Sequence, residues 1–366
     1  MTEDGPFEPD WFSKPGDTVL TLMRRRNVTA DSLAAALPGG LDAVRGLFDG
    51  SSRVDDAVAE GLSAVVGGSA GFWLKRQANY ERAVERVVHA VPEGEFDGWL
   101  RNVPVPGGRA GDVRSEKGRR QAVRQRLIFF NVNNLETWTR RYGSIRSETQ
   151  FRTSPALASD DGAVSMWLRQ GELEAALHSA AAWNAKGLEA SVGEIRGLSR
   201  IGHPSRFLPK LRAVLARSGV VLAIVKAPSG CRASGAARMI SPDRAMILMS
   251  FRFRADDQFW FTLFHEVGHL VLHGGCSFVD DEETLEDDRE QEANAFARDC
   301  IIPPERRPEF RDLPPAREAV LRFSVSCGIA PGLTVGQMQH RKMIGHDRLN
   351  GLKRRWTWDE IEPALR

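Results

Sequence analysis

Apolar residues recur along this chain in short helical patterns for its first half and in a mixture of strand runs and helices after residue 205. From 15 to about 90 the pattern is a series of short helices. Pro15-Gly16-Asp17 opens one to 26, Thr29 caps one to 37, Pro38-Gly39-Gly40 turns into 41–48, and Gly50-Ser51-Ser52 leads into 54–66. Leu33, Leu37, Val44 and Leu47 are placed for one shared core. Two short helices joined by a Gly-containing turn suit a helix-turn-helix whose second helix begins near Leu41. Further on, 127–132, 135–142 and 163–177 read as mainly helical, with Trp138, Phe151 and Trp167 as core anchors. From Ser205 the order becomes helix (207–217), strand (220–225), a strand ending at Arg238, strand (245–251), then a long helix. Pro228-Ser229-Gly230 and Ser241-Pro242-Asp243 separate the strands, so a small antiparallel or mixed sheet leaning on that helix is expected. The class is α+β, predominantly α. Three regions are expected: an all-α helix-turn-helix domain at 1–95, a basic linker and helical connector at 96–204, and a C-terminal domain at 205–366.

The long helix, 257–274, carries the chemistry. At 100° per residue, Gln258, Thr262, His265, Glu266, His269 and His273 share an arc of about 100°, and apolar side chains fill the rest of the circumference. Such a helix is buried, and desolvated imidazoles and a carboxylate cost several kcal/mol each unless something binds them. Histidines at i and i+4 lie about 6 Å apart along the axis, so ring nitrogens of His265 and His269 can converge on one ion at about 2.0–2.1 Å. Zinc is the expected ion. Glu266 projects beside it and can take a proton from a water molecule that the ion polarises. The competing structural explanation, two core histidines bonded to backbone carbonyls, accounts for neither the glutamate nor the polar stripe.

A third ligand should come from downstream, where Glu290 and Glu292 offer themselves, as does His273 on the first helix. With Glu290 at 0° on its own helix, Asn294, Ile301, Ala297, Ala293, Cys300 and Phe296 share its side, whereas Arg298, Gln291, Ala295, Asp299 and Glu292 lie on the other. Glu290 therefore points inward and Glu292 toward solvent. His273 is about 12 Å from His265 along the axis, which suits a supporting or substrate-facing role rather than ligation of the same ion.

Composition changes this picture little. With 366 residues, 42% hydrophobic and net charge +2, the chain has material for two or three ordinary cores. It has no long uninterrupted apolar run, and its acidic, Pro-rich start lacks the pattern of a secretory signal, so a cytoplasmic protein without a membrane partner is expected. Cys231, Cys276, Cys300 and Cys327 form no CxxC pair and read as reduced, mostly buried thiols. Charge bears more on nucleic acid. Met1 to Ala90 holds 10 Lys or Arg against 13 Asp or Glu, 10 − 13 = −3, where phosphate contact normally leaves a basic footprint. Arg45 is the best base-reading candidate and Arg53 the best phosphate contact. The stretch 101–126 has eight basic and two acidic residues, 8 − 2 = +6, and reads as a linker able to reach nucleic acid.

Two stretches resemble known families. The first 80 residues look like the helix-turn-helix of HigA-like, XRE-type regulators: a Pro-Gly-Asp opening, Leu-Phe-Asp-Gly after the second helix of the motif, Asp-Asp-Ala-Val-Ala, and the run from Gly67 to Tyr80. Phe264-His265-Glu266-Val267-Gly268-His269, with Glu290-Gln291-Glu292-Ala293-Asn294-Ala295-Phe296-Ala297 and Pro303, resembles the ImmA/IrrE family of zinc metallopeptidases. Carried over residue by residue, the resemblance implies His265, His269 and Glu290 as zinc ligands and Glu266 as general base. It implies a regulatory endopeptidase of gluzincin type whose protein substrate is a helix-turn-helix repressor encoded nearby. Double-stranded DNA and a second copy of this chain, joined through the N-terminal domain, are further expected partners. The alternative is a HigA-like DNA-binding antitoxin or regulator whose metal domain is a sensor. A third reading, an interaction protein with a structural ion, is disfavoured because a closed structural site needs no free glutamate.

Overall fold

The structure, a computed structural model, describes residues 12–105, 113–142, 161–274 and 283–365, with the side chains of 283–287 excepted. Phe151 and Cys276 lie outside them. The fold is α+β and predominantly α, and the chain divides into two compact units. One holds residues 1–146 and 161–178; the other holds 179–366 together with 147–160. The stretch 96–204 is thus shared between them. No single helix among the described residues is long and apolar enough to cross a membrane.

The N-terminal unit is helical. Its first helices are α1 (Pro15–Arg26), α2 (Ala30–Ala34), α3 (Gly40–Asp49), α4 (Asp56–Val66) and α5 (Ala70–Ala90). Each starts where local chemistry predicts: Thr29 Oγ1 accepts from Ser32 N, Asp55 from Val58 N, and Ser69 from Phe72 N. Between α2 and α3 the chain turns through Gly39 and Gly40 at φ 92° and 59°, a left-handed backbone that side chains with a Cβ resist. Val19, Met23, Leu33, Val44, Leu47, Leu62 and Trp73 close one core.

Then come α6 (Phe96–Asn102), α7 (Glu116–Phe130), α8 (Leu135–Tyr142) and α9 (Asp161–Ala176). Trp99, Phe130, Trp138, Tyr142 and Trp167 are buried among these, with Phe130 edge-on to Trp138 and Tyr142. Here the basic run differs from the expected linker, because 116–126 is the body of α7. Ser115 caps it, Ala122, Val123 and Leu127 give it an apolar face, and its arginines find partners. Arg119 pairs with Asp97, Arg120 with Glu116, and Arg124 with Glu85, while buried Arg126 donates to the carbonyls of Val103 and Ala122. Charge counting along a chain cannot see such pairing.

The C-terminal unit builds a three-stranded sheet between helices. α10 (Ala185–Leu198) and α11 (Pro204–Ala216) precede β1 (Val220–Ile224), β2 (Gly235–Ser241) and β3 (Arg244–Met249). The order is β1-β3-β2, with β1 parallel to β3 and β2 antiparallel to it, so the sheet is mixed and β2 is an edge. β1 and β3 are buried at every position, as continuous apolar runs require. Against the sheet lies α12 (Asp256–His273), then α13 (Glu283–Ile301), α14 (Arg307–Arg311), α15 (Arg317–Cys327), α16 (Pro331–His340) and the short α17 (Trp358–Ile361). The apolar flank of α12 enters the largest core: Phe259, Trp260, Leu263, Phe264 and Val267 pack with Phe207, Ile247 and Trp356.

Its N-terminus is tied to the tail of the chain. Buried Asp256 accepts from the backbone N–H groups of Asp257 and Arg354, and Lys353 Nζ donates to Asp257 Oδ2 at 2.6 Å and to Gln339 Oε1 at 2.6 Å. These bonds hold α12 in place from the end opposite the histidines.

Candidate metal centre

α12 delivers His265 and His269 from successive turns to one spot, and α13 delivers Glu290 to the same spot from the facing helix. His265 Nε2 lies 2.9 Å from His269 Nε2, and Glu290 reaches both, with Oε2 at 3.3 Å from His265 Nε2 and Oε1 at 3.1 Å from His269 Nε2. The ligand atoms of these three residues all lie within 4.8 Å of one another. The close crossing that brings α13 this near depends on small residues. A Cβ on Gly268 would lie 3.2 Å from the Cα of Ala293 and 3.2 Å from the Phe296 ring, closer than ordinary contact.

The donor set fits a metal cation. Two imidazole nitrogens turned toward each other at 2.9 Å, with carboxylate oxygens between, form a stable arrangement when a cation sits among them; bonds of 2.0–2.1 Å in tetrahedral geometry place the ligand atoms about 3.3 Å apart. The tautomer supports this. His265 Nδ1 is 3.1 Å from Asn294 Oδ1, which accepts only, so the proton belongs on Nδ1 and the Nε2 lone pair faces the cluster. His265 is 5% exposed, too dry for its ring to depend on water. Three protein ligands leave one tetrahedral position open, the arrangement of catalytic rather than structural zinc.

Glu266 follows His265 on α12 and is not one of the three converging residues. It is 1% exposed, and Gly235 at the start of β2 makes room for it: a Cβ there would lie 2.7 Å from Glu266 Oε1 and 2.6 Å from Thr262 Cγ2. The edge strand and the glutamate therefore touch.

The remaining candidates are placed as follows. His273 lies outside the cluster, its ring 5.8 Å from that of His269 and its Nε2 3.6 Å from Glu292 Oε2; burial, and then the neighbouring His269, lower its pKa from the usual imidazole value. The Glu292 side chain is 62% exposed against 24% for Glu290, as the helix wheel of α13 implies. Far from this site in the chain, Arg45 is held between Glu174 at 3.3 Å and Asp42 at 3.4 Å, and Arg53 pairs with Glu81 at 2.7 Å. The structure brings His265, His269, Glu290 and Glu266 together and places Arg45 and Arg53 in separate ion pairs.

Sequence reasoning did not assign Asn294 or Gly235 a role. Asn294 was within reach of the pattern, since it lies four residues after Glu290 on the same face of α13. Gly235 had no such signal, because its partner is 31 positions further along and the contact is made across the sheet.

Residues 231–330 match the family model for the IrrE N-terminal-like domain, Peptidase_M78, a range that contains His265, Glu266, His269 and Glu290 and excludes the whole N-terminal unit. No curated protein and no solved structure matches the chain. What residues 231–330 resemble is therefore a metallopeptidase-type domain, and they carry a His-His-Glu group able to hold a metal ion.

Proposed function

We propose that the protein is a zinc-dependent endopeptidase that regulates by cutting a partner protein, a helix-turn-helix repressor encoded beside it. The observation that carries this is the convergence of His265, His269 and Glu290 with the buried carboxylate of Glu266 alongside. His265, His269 and Glu290 would hold zinc, which when bound would supply Lewis acidity at this spot. Glu266 would accept a proton from the attacking water and return one to the leaving amine. Asn294 holds the His265 ring in the tautomer that presents its lone pair. The outer edge of β2 offers backbone groups to which an extended substrate can pair, and Gly235 brings that edge against Glu266.

In this reading the N-terminal unit docks the partner or its DNA, through the α2-turn-α3 pair. An alternative is a HigA-like DNA-binding regulator in which the metal group senses rather than cuts; the left-handed turn between α2 and α3 is what favours a helix-turn-helix there. One experiment separates the two. The full-length protein is loaded with zinc and incubated with the product of the adjacent gene, with and without a chelator, and fragments are read by mass spectrometry. Chelator-sensitive fragments that Glu266→Gln fails to produce support the peptidase. An intact partner alongside specific binding to operator DNA supports the regulator.

A further inference from the structure

A second polar cluster in the C-terminal unit lies beyond the metal group and has the opposite character. Four arginines collect where the C-terminal ends of α13 and α16 meet α14. Arg307 and Arg311 stand one turn apart on α14 and flank Phe310, which is fully buried with its ring 5.6 Å from that of Phe323. The guanidinium of Arg341, the residue after α16, lies over the Phe310 ring at 5.5 Å. Arg307 pairs with Asp299, which follows Arg298 in the last turn of α13. Among the described residues, Arg298, Arg311 and Arg341 have no carboxylate within the 4.0 Å of an ion pair. Burial, and then the charges of Arg298, Arg307 and Arg311, push the Arg341 guanidinium below its ordinary value, as expected of like charges held together.

Three guanidiniums held close, one of them stacked on Phe310, concentrate positive charge at one spot, and a counter-charge from outside relieves their mutual repulsion. We propose that this cluster receives the carboxylates of an acidic stretch of the protein substrate. Planar guanidinium forks accept carboxylates in pairs, and stacking on Phe310 fixes the orientation of one fork before the ligand arrives. Duplex nucleic acid fits less well. Exposed Glu305, Glu309 and Asp312 in the same short segment limit the basic patch to a few residues, whereas a nucleic-acid surface presents an extended basic stripe. Arg298 is two turns beyond Glu290 on one helix, about 12 Å along the axis. That distance spans about four residues of extended peptide, so the acidic stretch lies about four positions from the bond that is cut.

The proposal rests on the peptidase reading and is tested apart from it. Full-length Glu266→Gln protein, which cuts nothing, is titrated against a fluorescein-labelled decapeptide of alternating glutamate and glycine, with the lysine-glycine decapeptide and a short DNA duplex as competitors. The acidic peptide binds, and Arg311→Ala with Arg341→Ala weakens it by about tenfold or more, as loss of paired charge-assisted contacts implies. Arg298→Gln, which leaves the Phe310 stack untouched, weakens it by a smaller factor, and Arg341→Lys restores only part of the loss. Affinity unchanged in both the double variant and Arg298→Gln overturns the proposal, and so does displacement of the peptide by duplex DNA through the same arginines. Cleavage of a partner by a protein that shows no such binding overturns this proposal alone; binding without chelator-sensitive cleavage overturns the peptidase reading alone.

Discussion

Half-buried Arg45 in the N-terminal unit and buried His265 in the C-terminal unit are both polar side chains, and they end in opposite kinds of surroundings. Arg45 meets Glu174 and Asp42, a donor matched by acceptors. His265 meets another imidazole and a carboxylate, an acceptor facing acceptors. A matched group needs nothing further, and its ion pair contributes to the fold. Two imidazoles and a carboxylate that converge on one point mark a place prepared for a cation. The same contrast appears in the two most buried ionisable groups that the units hold for structure. Lys14 in the N-terminal unit donates to Phe48 O at 2.7 Å and is pushed down to about 7, chiefly by burial and then by Arg169. Asp256 in the C-terminal unit is pushed up to about 6 by burial, against the two N–H groups it accepts from.

The largest test of this contrast is at the site itself. Glu266→Gln is expected to keep zinc in full, by mass spectrometry of the native protein, while turnover of the partner falls by about 10⁴, the upper range for loss of a positioned base. Zinc lost along with activity would make Glu266 a ligand. Next in size is the third ligand. Glu290→Ala should weaken zinc binding by well over 100-fold in competition titrations, whereas His273→Ala and Glu292→Ala should change it by about tenfold or less. Asn294→Ala should fall between them, because it removes the acceptor that sets the His265 tautomer.

The two buried charges give the units opposite responses to pH. A lysine depressed from 10.5 to about 7 lends stability that is present above the unfolded value and lost as pH falls through 7. An aspartate raised from 3.8 to about 6 lends stability that is present below the unfolded value and lost as pH rises through 6. Lys14→Met should therefore stabilise increasingly as pH falls from 10 toward 7. Asp256→Asn should stabilise increasingly as pH rises from 4 toward 6. The rise of Asp256 from 3.8 to about 6 corresponds to about 3 kcal/mol; for Lys14 the larger gain from removing a buried charge is partly offset by the lost hydrogen bond to Phe48, worth about 1–2 kcal/mol. Melting temperatures of the two variants against the parent from pH 4 to pH 10 check both signs, and parallel curves would remove the contrast.

The smallest effects belong to the matched surface pairs. The Arg53 side chain is 75% exposed, so Arg53→Ala should alter stability by less than about 1 kcal/mol. A loss of DNA affinity in the same variant, with the fold unchanged, would show that Arg53 exchanges Glu81 for phosphate when DNA is present.

How far the chain could be read follows from how local each feature is. The pair His265 and His269 depends only on the pitch of one helix, and so does the inward direction of Glu290. The limits of the short N-terminal helices follow from caps and turns spanning four residues or fewer, and the expected cap at Thr29 agrees with the structure; Asp55 and Ser69 cap two further helices that the sequence reading left uncapped. The basic run up to Arg126 reads as a linker able to reach nucleic acid because the acids that pair with Arg119 and Arg124, Asp97 and Glu85, lie 22 and 39 positions back. α5 extends through 21 residues, where a series of short helices was expected, with Trp73, Tyr80, Val84 and Val88 buried along its length.

By itself the sequence determined what a single helix can decide: which residues share a face, where a helix begins, and that two imidazoles and a glutamate must be buried together. Tertiary structure alone decided what crosses between elements. It placed Gly268 against Ala293 so that Glu290 reaches both histidines, Gly235 against Glu266 so that a strand edge runs beside the base, and Arg298, Arg307, Arg311 and Arg341 around Phe310 from three helices. Helix geometry repeats every few residues and can be computed from spacing, whereas contacts between elements depend on close packing of surfaces whose partners no spacing in the chain reveals.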